Sequence, residues 1–164
     1  MMASNSLAHL PAFDTGGDSY EDAEWIDDLV TSYAFYGEVP AMTPCDPSGA
    51  KYYVFEGRSG EEFRFEVGVP VHSALAKPCI LLLGPGLPNP DEIAQNIIDS
   101  SNLTIPEGYG AMGWAFVIRP DADYYIETQF EPFTQTVFAY AYQKDILLPS
   151  DGTYYIVFTS IVNS

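Results

Sequence analysis

The stretch Glu62-Phe63-Arg64-Phe65-Glu66-Val67-Gly68-Val69 alternates polar and apolar residues without interruption. Successive side chains of a β-strand point to opposite faces, so Phe63, Phe65, Val67 and Val69 share one face and Glu62, Arg64, Glu66 and Gly68 the other. Just upstream, Tyr52-Tyr53-Val54-Phe55 is an aromatic and β-branched run, and Gly57-Arg58-Ser59-Gly60 separates the two with turn residues. Together they predict a hairpin, half buried in an antiparallel sheet.

Working outward, Cys79-Ile80-Leu81-Leu82-Leu83 is a continuous apolar run closed by Gly84-Pro85-Gly86. That pattern suits a central strand covered on both faces. Asn89-Pro90-Asp91-Glu92 then opens a short helix over about 90–99, with Ile93 and Ile97 on one side and Ala94 and Ile98 beside them. Further strands are predicted over Met112–Arg119, Tyr124–Phe130, Thr134–Tyr142 and Thr153–Ile161, the last fed by the turn Pro149-Ser150-Asp151-Gly152. With no β-α-β alternation, the reading is an all-β, antiparallel, jelly-roll-like β-sandwich of roughly seven to nine strands with one or two short helices. The sandwich domain is placed at residues 30–164. Residues 1–29 form an acidic N-terminal arm, in which Ser19 caps a short helix carrying Glu21, Asp22, Glu24, Trp25, Ile26 and Leu29.

A chain of 164 residues with 47% hydrophobic and 18% charged residues is globular, not intrinsically unfolded. Lys and Arg number 6 against 23 Asp and Glu, for a net charge of −17. Phosphate binding needs clustered cations, so nucleic acid is excluded as a partner, and anionic membrane surfaces are disfavoured for the same reason. No run approaches the ~20 apolar residues of a membrane span. Met1-Met2-Ala3-Ser4-Asn5-Ser6-Leu7 has neither the basic start nor the apolar run of a signal peptide. Two settings stay open: a cytoplasmic protein, or one acting outside the cell whose leader is not in this sequence.

The closing features are similar to those of a known module. Gly49-Ala50-Lys51-Tyr52-Tyr53-Val54-Phe55 followed by Gly60-Glu61-Glu62-Phe63-Arg64-Phe65-Glu66-Val67, and Leu148-Pro149-Ser150-Asp151-Gly152-Thr153-Tyr154-Tyr155 entering the last strand, resemble bacterial pre-peptidase C-terminal domains over roughly residues 49–161. The resemblance implies a jelly-roll-like sandwich on a secreted or surface protein, usually non-catalytic and sometimes binding calcium or a polymer.

Catalytic chemistry finds little support in the residues. The histidines are His9, in the arm, and His72, which follows Pro70-Val71 in a loop, and no nucleophile elbow, phosphate loop or zinc-protease motif occurs. Paired carboxylates hydrolyse glycosides only when roughly 5 to 9.5 Å apart. Glu127 with Glu131 and Glu62 with Glu66 are the nearest candidates, and strand alternation places them on the outer face. The chain is therefore expected not to be an enzyme.

Calcium takes six to eight oxygens, which acidic loops at strand ends supply. Asp121 with Asp123, and Asp14 with Asp18 around two glycines, are the candidate metal ligands. Cys45 and Cys79 match no zinc or redox motif, leaving either one disulfide, worth about 3–4 kcal/mol, or two buried thiols. Asn102-Leu103-Thr104 is an N-glycosylation sequon in a loop. Phe138, Tyr140 and Tyr142 alternate with Val137, Ala139 and Ala141. If the small side packs inward, the aromatic side is free to stack on sugar rings or on another subunit.

The expected function is a non-enzymatic extracytoplasmic module, extracellular or on the cell surface, that binds carbohydrate or another surface polymer with calcium assistance. The alternative is a structural subunit of an extracellular filament or surface layer, in which copies assemble through the N-terminal arm or edge strands.

Overall fold

The structure is a computed structural model and describes residues 10–13, 15–37, 49–71, 78–115 and 127–160, with only the backbone described at 127 and 141–144. In chain order the elements are β1 (Leu10–Phe13), β2 (Glu24–Trp25), β3 (Tyr33–Tyr36), β4 (Lys51–Gly57), β5 (Glu62–Pro70), β6 (Pro78–Pro85), α1 (Glu92–Ser101), β7 (Tyr109–Ala115), β8 (Glu127–Glu131), β9 (Thr136–Leu147) and β10 (Gly152–Ser160). They build an all-β sandwich with one helix among the described residues. A five-stranded sheet in the order β2-β4-β10-β6-β7 faces a three-stranded sheet in the order β5-β9-β8, and β1 and β3 form a separate two-stranded sheet. No helix among the described residues is long and apolar enough to cross a membrane.

The alternating strand folds as its pattern requires. Phe63, Val67 and Val69 are buried along β5, while Glu62, Arg64 and Glu66 are exposed. The hairpin does not form. β4 pairs with β10 and β5 pairs with β9, so the connection is an arch from one sheet to the other. The turn is shaped accordingly. Glu61 N–H bonds the Arg58 carbonyl at 3.0 Å, and Gly60, with φ at +81°, takes the third position of a type II turn. Type II turns splay their flanking strands, whereas the favoured two-residue hairpin turns need positive φ at the first central position, which Ser59 does not have. The ends of the arch are tied to the segment before β10, where Gly60 N–H bonds the Leu148 carbonyl at 2.8 Å and Leu148 N–H bonds the Glu61 carbonyl at 2.9 Å.

β6 is the central strand expected of its apolar run, buried from Pro78 to Gly84. One face of the five-stranded sheet carries Tyr53, Phe55, Leu82 and Tyr154, which pack with Phe63, Ile146 and Leu148 to form the sandwich core. Its other face carries Tyr52, Cys79, Leu81, Leu83 and Val157 under Ala94, Ile97 and Ile98 of α1. The helix begins two residues later than predicted. Asp91 caps it by accepting the Ala94 N–H at 2.8 Å, Asn102 closes it in the left-handed region, and Ile93 faces solvent instead of the sheet.

The helix predicted after Ser19 is absent. Asp22 accepts the Ser19 N–H at 2.6 Å and its hydroxyl at 2.7 Å, closing a turn, and Glu24-Trp25 then run parallel to Tyr53-Val54. The Ile26 N–H bonds the Val54 carbonyl at 2.8 Å, and its side chain enters the core. Sheet pairing thus satisfies backbone groups that a short acidic helix would have left to water, and tertiary context overrides local propensity. The pairs β2–β4 and β1–β3 are parallel, a departure from the wholly antiparallel sheets expected. Parallel partners need long connections, and both pairs join segments distant in sequence.

Candidate binding face

Two elements far apart in sequence bring a line of aromatic rings together. Along β3, Tyr33 and Phe35 turn inward, and Phe35 packs on Tyr53 at 4.8 Å between ring centroids. Strand alternation sends Tyr36 to the opposite face. There its ring stacks on Phe13 of β1 at 5.0 Å and meets Phe138 of β9 edge-on at 6.3 Å. Tyr140 continues the row two residues along β9. Phe138 and Tyr140 both lie over Gly68 of the neighbouring edge strand, where an added β-carbon would stand 3.0 Å from Tyr140 Cε1 and 3.4 Å from Phe138 Cδ1. The rings cover a gap that glycine leaves in an edge strand. Ala139, on the opposite strand face, is 3% exposed, so the small side packs inward and the aromatic side is half exposed.

A carboxylate completes the face. Glu131 ends β8 opposite Thr136 and is 7% exposed. Its Oε1 accepts the Phe133 N–H at 3.1 Å, and the Tyr36 hydroxyl donates to the same carboxylate. Burial, followed by this bond and the Glu131 charge, holds the Tyr36 phenol far above its ordinary range. In the loop after Glu131, Thr134 Oγ1 is buried without a hydrogen-bond partner among the described residues. The arrangement offers flat apolar rings beside fixed oxygen acceptors. That combination stacks on the apolar face of a ring and hydrogen-bonds hydroxyls at its rim.

Other sequence candidates are placed as follows. Tyr142 is registered opposite Val67, but a register shift between Val67 and Gly68 breaks the period-two alternation that joined it to Phe138 and Tyr140. Its side chain lies outside the described residues, as do Asp14, Cys45, Asp121, Asp123, His9 and His72. Asp18 is ion-paired with Lys51 Nζ at 2.6 Å. Among the described residues no three His, Cys, Asp or Glu side chains gather as metal ligands. Cys79 is buried under α1, and Asn102 is exposed at the helix end. Glu62 and Glu66 are exposed, as alternation requires, whereas Glu131 is buried, which alternation alone did not foresee. Glu131 lies four positions along β8 from Glu127, whose side chain lies outside the described residues.

Sequence reasoning missed Phe13, Tyr36 and the use of Glu131. Tyr33-Ala34-Phe35-Tyr36 reads as a strand, but nothing local in it says which sheet its outward tyrosine meets.

Compared with protein-family models, curated proteins and solved structures, the chain matches none.

Proposed function

We propose that this chain is a non-enzymatic β-sandwich module acting outside the cytoplasm, and that it binds carbohydrate or another surface polymer, with calcium assistance, across the row Phe13, Tyr36, Phe138 and Tyr140. The observation that carries the reading is the row itself, with the Glu131 carboxylate and Tyr36 hydroxyl at its edge. Phe13 is 53% exposed, so the outer ring of the row is open to a ligand. Aromatic faces with a few fixed polar groups are the common chemistry of sites that hold flat, hydroxylated rings. Glycan-array and polysaccharide pull-down measurements, with and without a chelator, test it on the full chain. Binding lost in Phe13→Ala and Tyr140→Ala supports the reading, and chelator sensitivity supports the calcium part. Absence of binding in both conditions removes it.

Assembly into a filament or layer is the second reading, favoured by the edge strand β8, where Phe130 is 56% exposed opposite Val137 and Phe133 follows in the loop. Exposed apolar residues on a sheet edge are a template for a neighbouring chain. Size-exclusion chromatography and electron microscopy distinguish this reading, since a strict monomer across concentration excludes it.

A further inference from the structure

The far edge of the five-stranded sheet carries a second groove, distant in sequence from the aromatic row. β7 is the last strand of that sheet, and among the described residues no strand pairs with its outer side. The Ala111 N–H points away from β6 and bonds the Pro88 carbonyl at 2.9 Å. In an antiparallel strand alternate residues direct both backbone groups to the same side, so Gly113 and Ala115 also turn outward. Beyond Ala111 these outward groups meet no backbone partner among the described residues. Gly113 is buried even so, because α1 lies directly above it, and a β-carbon there would stand 2.6 Å from Ala94 Cα. Outward backbone groups of an edge strand are those that an added strand bonds.

The edge is the floor of a half-open cleft of about 170 Å³ lined by Pro88, Asn89, Asp91, Ala111, Met112, Gly113 and Trp114. That is below the ~300–1,000 Å³ that engulfs a drug-sized ligand, and it suits a chain laid along the strand. The walls differ in chemistry. Met112 and Trp114 lie on the side that faces the sandwich core, with Trp114 held edge-on against Phe65 at 5.0 Å. Asn89 and Asp91 lie on the helix side, followed by the exposed Glu92. Asp91 spends one oxygen on the cap of α1, and no Lys or Arg lines the cleft.

We infer that β7 is a docking edge for an extended peptide of a partner protein whose sequence alternates basic and apolar residues. Main-chain bonds to Gly113 and Ala115 supply affinity, and the two walls select alternate side chains, apolar beside Met112 and Trp114 and basic beside Asp91 and Asn89. Charge selects against a second copy as the occupant, since with 6 Lys and Arg against 23 Asp and Glu it would set acid against acid.

The test uses the full chain and a short capped peptide alternating lysine and valine, followed by fluorescence anisotropy and by amide shifts in NMR spectra. Saturable binding is expected, with the Gly113 and Ala115 amides among those that move most. Asp91→Asn keeps the helix cap but removes the charge, and it weakens binding about twofold to fivefold, the range of one half-exposed ion pair. Ala115→Pro removes one outward N–H without breaking a ladder bond, which an edge strand tolerates, and it reduces binding further while the far-UV circular dichroism is unchanged. Methylating alternate backbone nitrogens of the peptide abolishes saturable binding. Equal binding of the methylated peptide, equal binding of a glutamate–valine peptide, pairing of two copies through β7, or no saturable binding at all would each overturn the inference. None of these outcomes bears on glycan binding at the aromatic row.

Discussion

Phe63 stacks on Phe55 with ring centroids 5.2 Å apart and planes within 17°, although the two residues belong to different sheets. Phe55 stacks in turn on Tyr154 of the adjacent strand at 5.5 Å. The arch between β4 and β5 therefore does more than connect them, because it sets consecutive strands face to face across the core. The same turn in hairpin form would have put the rings side by side in one sheet.

Phe63→Ala removes the ring by which the three-stranded sheet joins this stack. Phe63 is buried, so the expected loss is about 3–5 kcal/mol of unfolding free energy, the usual cost of emptying a phenylalanine site. Phe63→Leu fills much of the space and costs less. Equilibrium unfolding in guanidinium chloride checks both, and the slope with denaturant should stay unchanged while the midpoint falls.

Two glycines of the arch do different work, and alanine separates them. At Gly57 the backbone is ordinary but the space is not: a β-carbon would stand 2.9 Å from Tyr154 Cδ2 and closer still to Leu148 Cδ1. Gly57→Ala should cost about 1–3 kcal/mol through overpacking against a buried ring. At Gly60 nothing lies within 4 Å of the added carbon, but φ is +81°. Gly60→Ala should cost about 1–2 kcal/mol through the backbone alone, and Gly60→Asn should recover part of it. Thermal unfolding of the three variants checks the contrast.

What could be read from the chain follows the range of the interactions concerned. The alternation from Glu62 to Val69 and the apolar run from Cys79 to Leu83 report burial directly, because each residue answers to the face it meets. Asp91 and Asn102 report helix ends through their own capping chemistry. Partner choice is not local. Whether Gly57 to Glu61 closes a hairpin or an arch depends on Gly152 to Tyr155 occupying the far side of β4, nearly a hundred residues on. The acids after Ser19 suit a helix start, yet Val54 offers a carbonyl that Ile26 takes instead. The aromatic row was legible only in Phe138 and Tyr140, since Phe13 and Tyr36 arrive from another sheet. The burial of Glu131 depends on the Tyr36 hydroxyl that reaches it.

Capping of α1 rests on one carboxylate, since Asp91 accepts the Ala94 N–H and no basic residue occupies the last turn. Asp91→Ala should destabilise the protein by about 1 kcal/mol, whereas Asp91→Asn or Asp91→Ser should be close to neutral. Because α1 covers Cys79, Leu81 and Leu83, the loss should appear in global unfolding as well as in helix fraying. Amide hydrogen exchange over Glu92 to Ile98, with the denaturation midpoint, measures the two together.

Alkaline stability should depend on Tyr36. Its phenol ionises well above the ordinary value in the folded protein, through burial first and then the neighbouring Glu131, and returns to about 10 when the chain unfolds. A group whose folded value is raised contributes stability that is complete below the unfolded value and declines as pH rises through it toward the folded one. The unfolded chain then binds fewer protons than the folded one, so stability falls with pH above about 10. Tyr20, Tyr52, Tyr53, Tyr109 and Tyr154 are raised as well, with burial the leading cause in each, and should add to the same decline. Tyr36→Phe removes one share and should make the decline shallower. At neutral pH the same variant should cost about 1–3 kcal/mol, because among the described residues the buried Glu131 carboxylate then keeps only the Phe133 N–H. Phenolate absorbance and urea midpoints followed from neutral pH to above pH 10 check both signs. An unchanged neutral midpoint together with an unchanged alkaline slope would mean that the Tyr36 hydroxyl does not hold Glu131.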